Sequence, residues 1–211
     1  PGGDQLFSVD VSKVRFGPGA IDELGQEARL LGIKRVAVFT DRRVAELSLF
    51  SDAMAAIRGA DLDPVVYDTV RVEPTDQSFR EAIQFAADDH FDGFISIGGG
   101  SVMDTCKAAN LYSTHPADFM AYVNAPIGQG LPVPGKLKPH LACPTTAGTG
   151  SECTGIAVFD LAEIECKTGI ASRSMLPDRA IVDPRWTDTL PPSVMAATGF
   201  DAISHALEAL T

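Results

Sequence analysis

Four places in this sequence carry residue types that could do chemistry. The first is Gly98-Gly99-Gly100-Ser101, which follows the apolar run Phe94–Ile97 and precedes a helical pattern through Tyr112. Glycines let a backbone come close to a phosphate and take positive φ without a Cβ penalty. The helix start adds unpaired N–H groups and the positive end of a dipole. Ser101 is expected to cap that helix, with Asp104 three residues on in a capping-box-like position. The loop is neither a G-x-G-x-x-G fingerprint nor a Walker loop, since no Gly-Lys-Ser/Thr follows. A plain strand-to-helix turn is the competing reading.

The second place is Pro144–Glu152, where Thr145, Thr146, Thr149 and Ser151 stand among Gly148 and Gly150. Such a loop offers short donors to phosphate or ribose oxygens, or it is an ordinary polar turn. The third is Asp41, just after the apolar run Val36–Phe39. A carboxylate at a strand end can accept both hydroxyls of an adenosine ribose and repel a 2′-phosphate. It can equally cap a helix. The fourth is Asp201 with His205, four apart within Gly199–Leu210 and so on one helix face. The pair can grip a divalent metal, and its ligand mix suits Fe(II), Zn(II), Mn(II) and Ni(II) alike. A surface Asp–His hydrogen bond, or Asp201 as a cap, is the alternative. His90, His115 and His140 have no metal-ligand spacing to the pair, so further ligands are expected beyond Thr211.

The elements that must position these groups follow from periodicity. Ser12–Phe16, Val36–Phe39, Pro64–Tyr67, Phe94–Ile97 and Leu141–Cys143 read as strands. Ile21–Leu31, Phe50–Arg58, Phe79–Ala87 and the stretch from Gly98 to Tyr112 read as helices between them. Strict alternation predicts a parallel sheet with helices on both faces, and such sheets bind ligands at the carboxyl ends of their strands. The three informative loops all fall there. Beyond about residue 150, Thr154–Phe159 and Lys167–Ala171 read as a hairpin, and Ile181–Pro184 ends another strand. From Ser193 the spacing of Val194, Ala197, Ile203, Ala206 and Leu207 is helical. That pattern stops at Thr211 with no C-cap glycine, which reads as a truncation.

Composition bounds the answer. A chain of 211 residues, 45% hydrophobic and 21% charged, holds enough apolar material for one domain, or one and a part. A net charge of -11 argues against nonspecific nucleic-acid binding. No run approaches the roughly 18 apolar residues of a membrane span. Cys106, Cys143, Cys153 and Cys166 form no C-x-x-C pair and suit a reducing compartment. The start, Pro1-Gly2-Gly3-Asp4, shows no secretory signature.

Three segments together, Gly98–Asp104, Pro144–Glu152 and Thr198–Glu208, resemble the signatures of the iron-containing (group III) alcohol dehydrogenases. The resemblance spans the chain. Val70-Arg71-Val72-Glu73-Pro74-Thr75-Asp76, Met103–Tyr112 and Ala125-Pro126-Ile127-Gly128 are similar to one branch, the hydroxyacid-oxoacid transhydrogenases. Many relatives carry Asn where this chain has Glu73. The resemblance implies a dehydroquinate synthase-like fold: an α/β dinucleotide-binding domain over residues 1–190, then the start of an all-helical metal-binding domain over 191–211. It implies that Gly98, Gly99, Gly100 and Ser101 hold the NAD pyrophosphate and that Asp41 binds the adenosine ribose. Asp104, Thr145, Thr146, Thr149, Val158, Lys167 and Leu190 join the cofactor set. Asp201 and His205 match the first two of four ligands to a divalent metal, Fe(II) or alternatively Zn(II). The activity implied is hydride transfer between NAD and an alcohol or aldehyde. In the branch this runs from 4-hydroxybutyrate to 2-oxoglutarate, giving succinate semialdehyde and 2-hydroxyglutarate. The other readings are a plain NAD-dependent alcohol dehydrogenase, a nucleotide-binding module without chemistry, and a lyase on the dehydroquinate synthase scaffold. No side chain reads as a general base. The expected partners are small hydroxyacids and oxoacids within a homo-oligomer, in the cytoplasm or, in a eukaryote, the mitochondrion.

Overall fold

A computed structural model describes residues 10–210; the readings at Pro1–Asp4 and Thr211 lie outside the described residues. The sheet is built from β1 (Lys13–Phe16), β2 (Arg35–Phe39), β3 (Asp63–Tyr67), β4 (Gly93–Gly98), β5 (His140–Pro144) and β8 (Arg179–Val182). All six are parallel, in the order β1-β8-β5-β4-β2-β3. β2 and β4 are apolar runs buried along nearly their whole length, as a sheet covered on both faces requires. The helices α1 (Leu24–Leu30), α2 (Arg42–Ala45), α3 (Ser48–Gly59), α4 (Asp76–Ala87) and α5 (Gly100–Thr114) make the crossovers.

The chain runs from β2 outward to β3, then returns past β2 to β4. The strand order therefore reverses between β2 and β4. In open α/β sheets the crevice at such a switch point is where ligands bind. Asp41 leaves the end of β2 and Gly98 ends β4, so two of the predicted cofactor residues flank this crevice.

Three apolar clusters hold the frame. One, around Ile21, Leu24, Val36, Ile57, Ile95 and Trp186, fills one side of the sheet. A second, around Phe39, Ala82, Phe94 and Val102, lies under α4 and α5. The third, around Phe79, Tyr112, Phe119, Phe159 and Ile170, ties α4 and α5 to the antiparallel hairpin β6 (Ile156–Leu161) and β7 (Cys166–Ala171).

Several expectations need correction. The helix predicted over Ile21–Leu31 opens as a 3-10 turn, Ala20–Glu23, before α1. Ser101 does not cap α5: the cap is Gly99, with no side-chain hydrogen bond, and the helix begins at Gly100. Asp104 thus sits too far into the helix to close a capping box. Gly98, Gly99 and Gly100 take no positive φ; those glycines are 17, 19, 32, 130 and 150. A short helix, α6 (Phe119–Tyr122), was not foreseen in the long stretch before β5. The last helix, α7 (Pro192–Glu208), buries none of its residues, and Phe200 is 71% exposed.

Candidate active site

The glycine corner and the Thr/Gly loop face each other because β4 and β5 are neighbours in register. Gly98 pairs with Pro144, and the Thr145 N–H donates to the Gly98 carbonyl at 3.1 Å. The need for glycine here is spatial. A Cβ on Gly100 would stand 2.8 Å from Thr149 Cγ2. Without one, the start of the 15-residue helix α5 opens toward Thr149, its cap Gly99 brings no side-chain hydrogen bond, and the Val102 and Met103 N–H groups turn back to the Gly99 carbonyl. That is a cradle for an anion.

A cleft of about 590 Å³ gathers the pieces. Its floor is Gly100, Ser101, Asp104 and Thr149; Val158 and Lys167 of the hairpin form one wall, and Thr198, Asp201 and His205 of α7 form another. Eight of the predicted residues thus line a single space. α7 reaches it by a close approach: a Cβ on Gly148 would lie 2.8 Å from the Thr198 carbonyl oxygen. Thr146 stands beside Gly99, at 3.4 Å from the position of an added Cβ. Thr145 is buried behind the loop. Leu190 lies in the turn before α7, its N–H donating to the Thr187 carbonyl, outside the cleft lining.

Asp41 caps α2: one carboxylate oxygen accepts the Arg43 and Val44 N–H groups at 2.9 and 3.0 Å. It also lines a shallower hollow of about 310 Å³ with Arg42, Arg43 and Val70. The cap consumes one oxygen only, so capping and ribose binding are compatible uses of the same residue.

Asp104 spends its carboxylate on the protein. Oδ1 accepts the Ser151 hydroxyl at 2.6 Å and Oδ2 accepts the Val158 N–H at 3.0 Å. Beside it is a residue to which the sequence reading gave no role. Lys107, with its side chain wholly inaccessible, sends Nζ to the Ser151 carbonyl at 2.7 Å, the Ser151 hydroxyl at 2.6 Å and the Ile156 carbonyl at 2.9 Å. Burial pushes the Asp104 carboxyl up and the Lys107 ammonium down, and the charge of each opposes the shift of the other. The two residues pin the Thr/Gly loop and the hairpin to α5. The signal for Lys107 was present: a lone cation in an otherwise apolar stretch, three residues after an aspartate.

Glu73 supplies a second tie. Its backbone N–H donates to Ser101 Oγ at 3.3 Å and its carboxylate accepts from Lys167 Nζ at 2.7 Å. This pair spans from the end of the β3 side to the hairpin, with Lys167 raised by the hydrogen bond to Glu73. Lys167 is therefore already partnered in the cleft.

Asp201 and His205 stand together as the spacing predicts, Oδ1 to Nε2 at 3.6 Å, both half-exposed to the cleft. Among the described residues no group of three or more His, Cys, Asp or Glu side chains is placed to hold a metal ion. The pair offers one carboxylate oxygen and one imidazole nitrogen, a donor mix that fits a divalent transition metal but fills only part of its shell. His140 is not a candidate: it is buried against Ser96 Oγ at 2.9 Å, and burial lowers its pKa to about 3. Burial also raises the Cys106 and Cys143 thiols, which are not reactive nucleophiles.

A cleft at the carboxyl ends of the parallel strands β4 and β5, faced by a carboxylate–imidazole pair on a following helix, defines a class. The chain belongs to the iron-containing alcohol dehydrogenase family, whose sequence profile matches residues 11–184. It is 49% identical over 209 residues to the mitochondrial hydroxyacid-oxoacid transhydrogenase of Bos taurus, covering 99% of this chain and 45% of that protein. The chain thus spans about half the length of the curated relatives it matches. Among solved structures, an NADH-dependent butanol dehydrogenase A from Thermotoga maritima superposes with a TM-score of 0.88 at 26% identity, over 96% of this chain and 50% of the other. A sulfoacetaldehyde reductase from Bifidobacterium kashiwanohense, solved in complex with NAD+, gives 0.86 at 29% identity, over 97% and 53%.

Proposed function

We propose that this chain is the dinucleotide-binding part of a metal-dependent oxidoreductase that moves a hydride between NAD and a hydroxyacid or oxoacid. The observation that carries the reading is the single cleft shared by Gly100, Ser101, Thr149, Asp201 and His205. The division proposed is a nucleotide-binding domain over 1–190 and the start of a metal-binding domain over 191–211. Bound NAD supplies the hydride chemistry, and a bound divalent cation supplies polarisation of a substrate oxygen.

The work of the chain itself is binding and aim. The open N-terminus of α5 receives the pyrophosphate, and the uncapped N–H groups favour its negative charge. Thr146 and Thr149 offer hydroxyls along the facing loop, and Thr145, buried behind it, ties it to Gly98 through its N–H. Asp41 takes the adenosine ribose with its free oxygen and disfavours a 2′-phosphate by repulsion. Asp104 and Lys107 keep the loop and hairpin at a fixed separation, so Val158 and Lys167 close over one side. Leu190 takes part only by holding the turn into α7. Asp201 and His205 would hold the cation, Fe(II) or Zn(II), beside the reactive end of the cofactor, with further ligands from outside this chain. No general base is assigned.

The names of the transhydrogenase relatives support a hydroxyacid and an oxoacid as the substrate pair, and 4-hydroxybutyrate with 2-oxoglutarate is the pair proposed from the resemblance. The names also support the mitochondrion as the compartment in a eukaryotic host. The test is an incubation of the full-length protein with both compounds and no added NAD. Succinate semialdehyde and 2-hydroxyglutarate should form together in equal amounts. A strict requirement for added NAD would instead favour a plain alcohol dehydrogenase.

A further inference from the structure

The end of the sheet opposite the cofactor cleft carries a second hollow, of about 630 Å³. It lies at the amino ends of β1, β5 and β8, where Lys13 begins β1, Lys138 precedes β5 and Arg179 begins β8. Lys136 and Arg173 also line it, as does the buried Lys107, which makes six cations in all. Such a cluster is out of character for a chain with a net charge of -11.

The local acids do not neutralise the cluster. Glu27 takes Arg179 at 3.1 Å, and Asp10 takes Arg173 at 3.2 Å. Asp178 also lines the hollow, and one of its oxygens accepts the His140 N–H at 3.0 Å. Among the described residues Lys13 and Lys136 form no ion pair, and Lys138 feels the charge of Asp92 without bonding to it. The Lys138 ammonium is held partly out of water, 5.9 Å from the centre of the Phe94 ring, and burial lowers its pKa. An unpaired cation kept half-desolvated is costly unless something negative comes to it. Lys13 and Lys136 are exposed on the same hollow, and several cations lining one concavity focus field onto a small ligand.

We propose that this hollow is a binding site for a compact polyanion, a small molecule with two or more carboxylate or phosphate groups, separate from the cofactor cleft. Lys13, Lys136 and Lys138 are its recognition groups. The volume suits a molecule of metabolite size, and its position across the sheet leaves the cleft free to hold its own ligand.

The test uses isothermal titration at fixed ionic strength with citrate in one arm and inorganic pyrophosphate in the other. One saturable site is expected for at least one probe. Its affinity should fall ten-fold or more in Lys13→Gln/Lys136→Gln/Lys138→Gln, whose changed side chains lie at or near the surface and leave the apolar clusters intact. A matched melting curve checks the fold, and the single variant Lys136→Gln, changed at an exposed position, should lose a fraction of the affinity. Binding must also survive saturation with NADH. Three results would each overturn the proposal: no saturable heat from either probe, unchanged affinity in both variants, or displacement by NADH, which would place the anion in the cofactor cleft.

Discussion

The Lys107 ammonium lies 3.6 Å from the Asp104 carboxylate, one turn apart on α5, and both reach the same residue, Ser151, on the loop that follows β5. This geometry makes a buried ion pair into the joint between three cofactor-facing elements. Removing one partner leaves the other charge uncompensated, at a cost of about 3–5 kcal/mol. Lys107→Met should therefore lower the unfolding free energy by that order in chemical denaturation. Adding Asp104→Asn to it should return at least half of the loss. A single variant within about 1 kcal/mol of the wild type would show that the joint carries little.

Stability should depend on pH through His140. The unfolded imidazole takes its proton near the ordinary value of 6.5, whereas the folded one takes it only near 3. Between these values the unfolded chain binds more protons, so stability is full above the upper bound and falls as the pH drops through the window. The slope reaches about 1.4 kcal/mol per pH unit for one proton. In His140→Gln, urea midpoints measured from pH 7 to pH 4 should fall less steeply than in the wild type. Identical slopes would remove His140 from the account.

Gly100→Ala isolates close approach from backbone freedom. The position is helical, where Ala is favoured over Gly by about 1 kcal/mol, so the fold should not suffer from the backbone. The new methyl would meet Thr149 at 2.8 Å and drive it or its loop toward the cleft. NADH affinity, read from its fluorescence, should weaken at least ten-fold while the melting temperature holds.

Asp41→Asn keeps an oxygen for the Arg43 and Val44 N–H groups and removes the negative charge. Arg42 and Arg43, which line the same hollow, then stand unopposed by that charge at the proposed ribose site. The ratio of NADP to NAD affinity should rise about ten-fold or more, with stability changed by less than the roughly 1 kcal/mol a lost cap costs. An unchanged ratio would assign Asp41 to capping alone.

Much of the frame was legible because its signals are local. The runs Val36–Phe39 and Phe94–Ile97 are short, apolar and bounded by turn residues, and both became central strands. The i, i+4 spacing put Asp201 beside His205. What stayed hidden depends on neighbours distant in sequence. Glycine at 98–100 pointed to unusual φ, yet the requirement is spatial: a Cβ at Gly100 would meet Thr149 across the cleft, and one at Gly98 would meet Val102 in the helix above it. Asp104 looked like a cap because capping is the local use of a carboxylate near a helix start. Its actual partners, Ser151 and Val158, come from elements that only the folded sheet brings near. Lys107 had one local clue, Asp104 three residues before it, but its bonds to Ser151 and Ile156 come from elements distant in sequence.

The pairing of β1 with β8, Lys13 opposite Arg179, has a consequence for synthesis. β1 is at the sheet margin and touches no other strand of it. Among the described strands β1 comes first in the chain and β8 last, so β1 stays undocked until everything between them has been made.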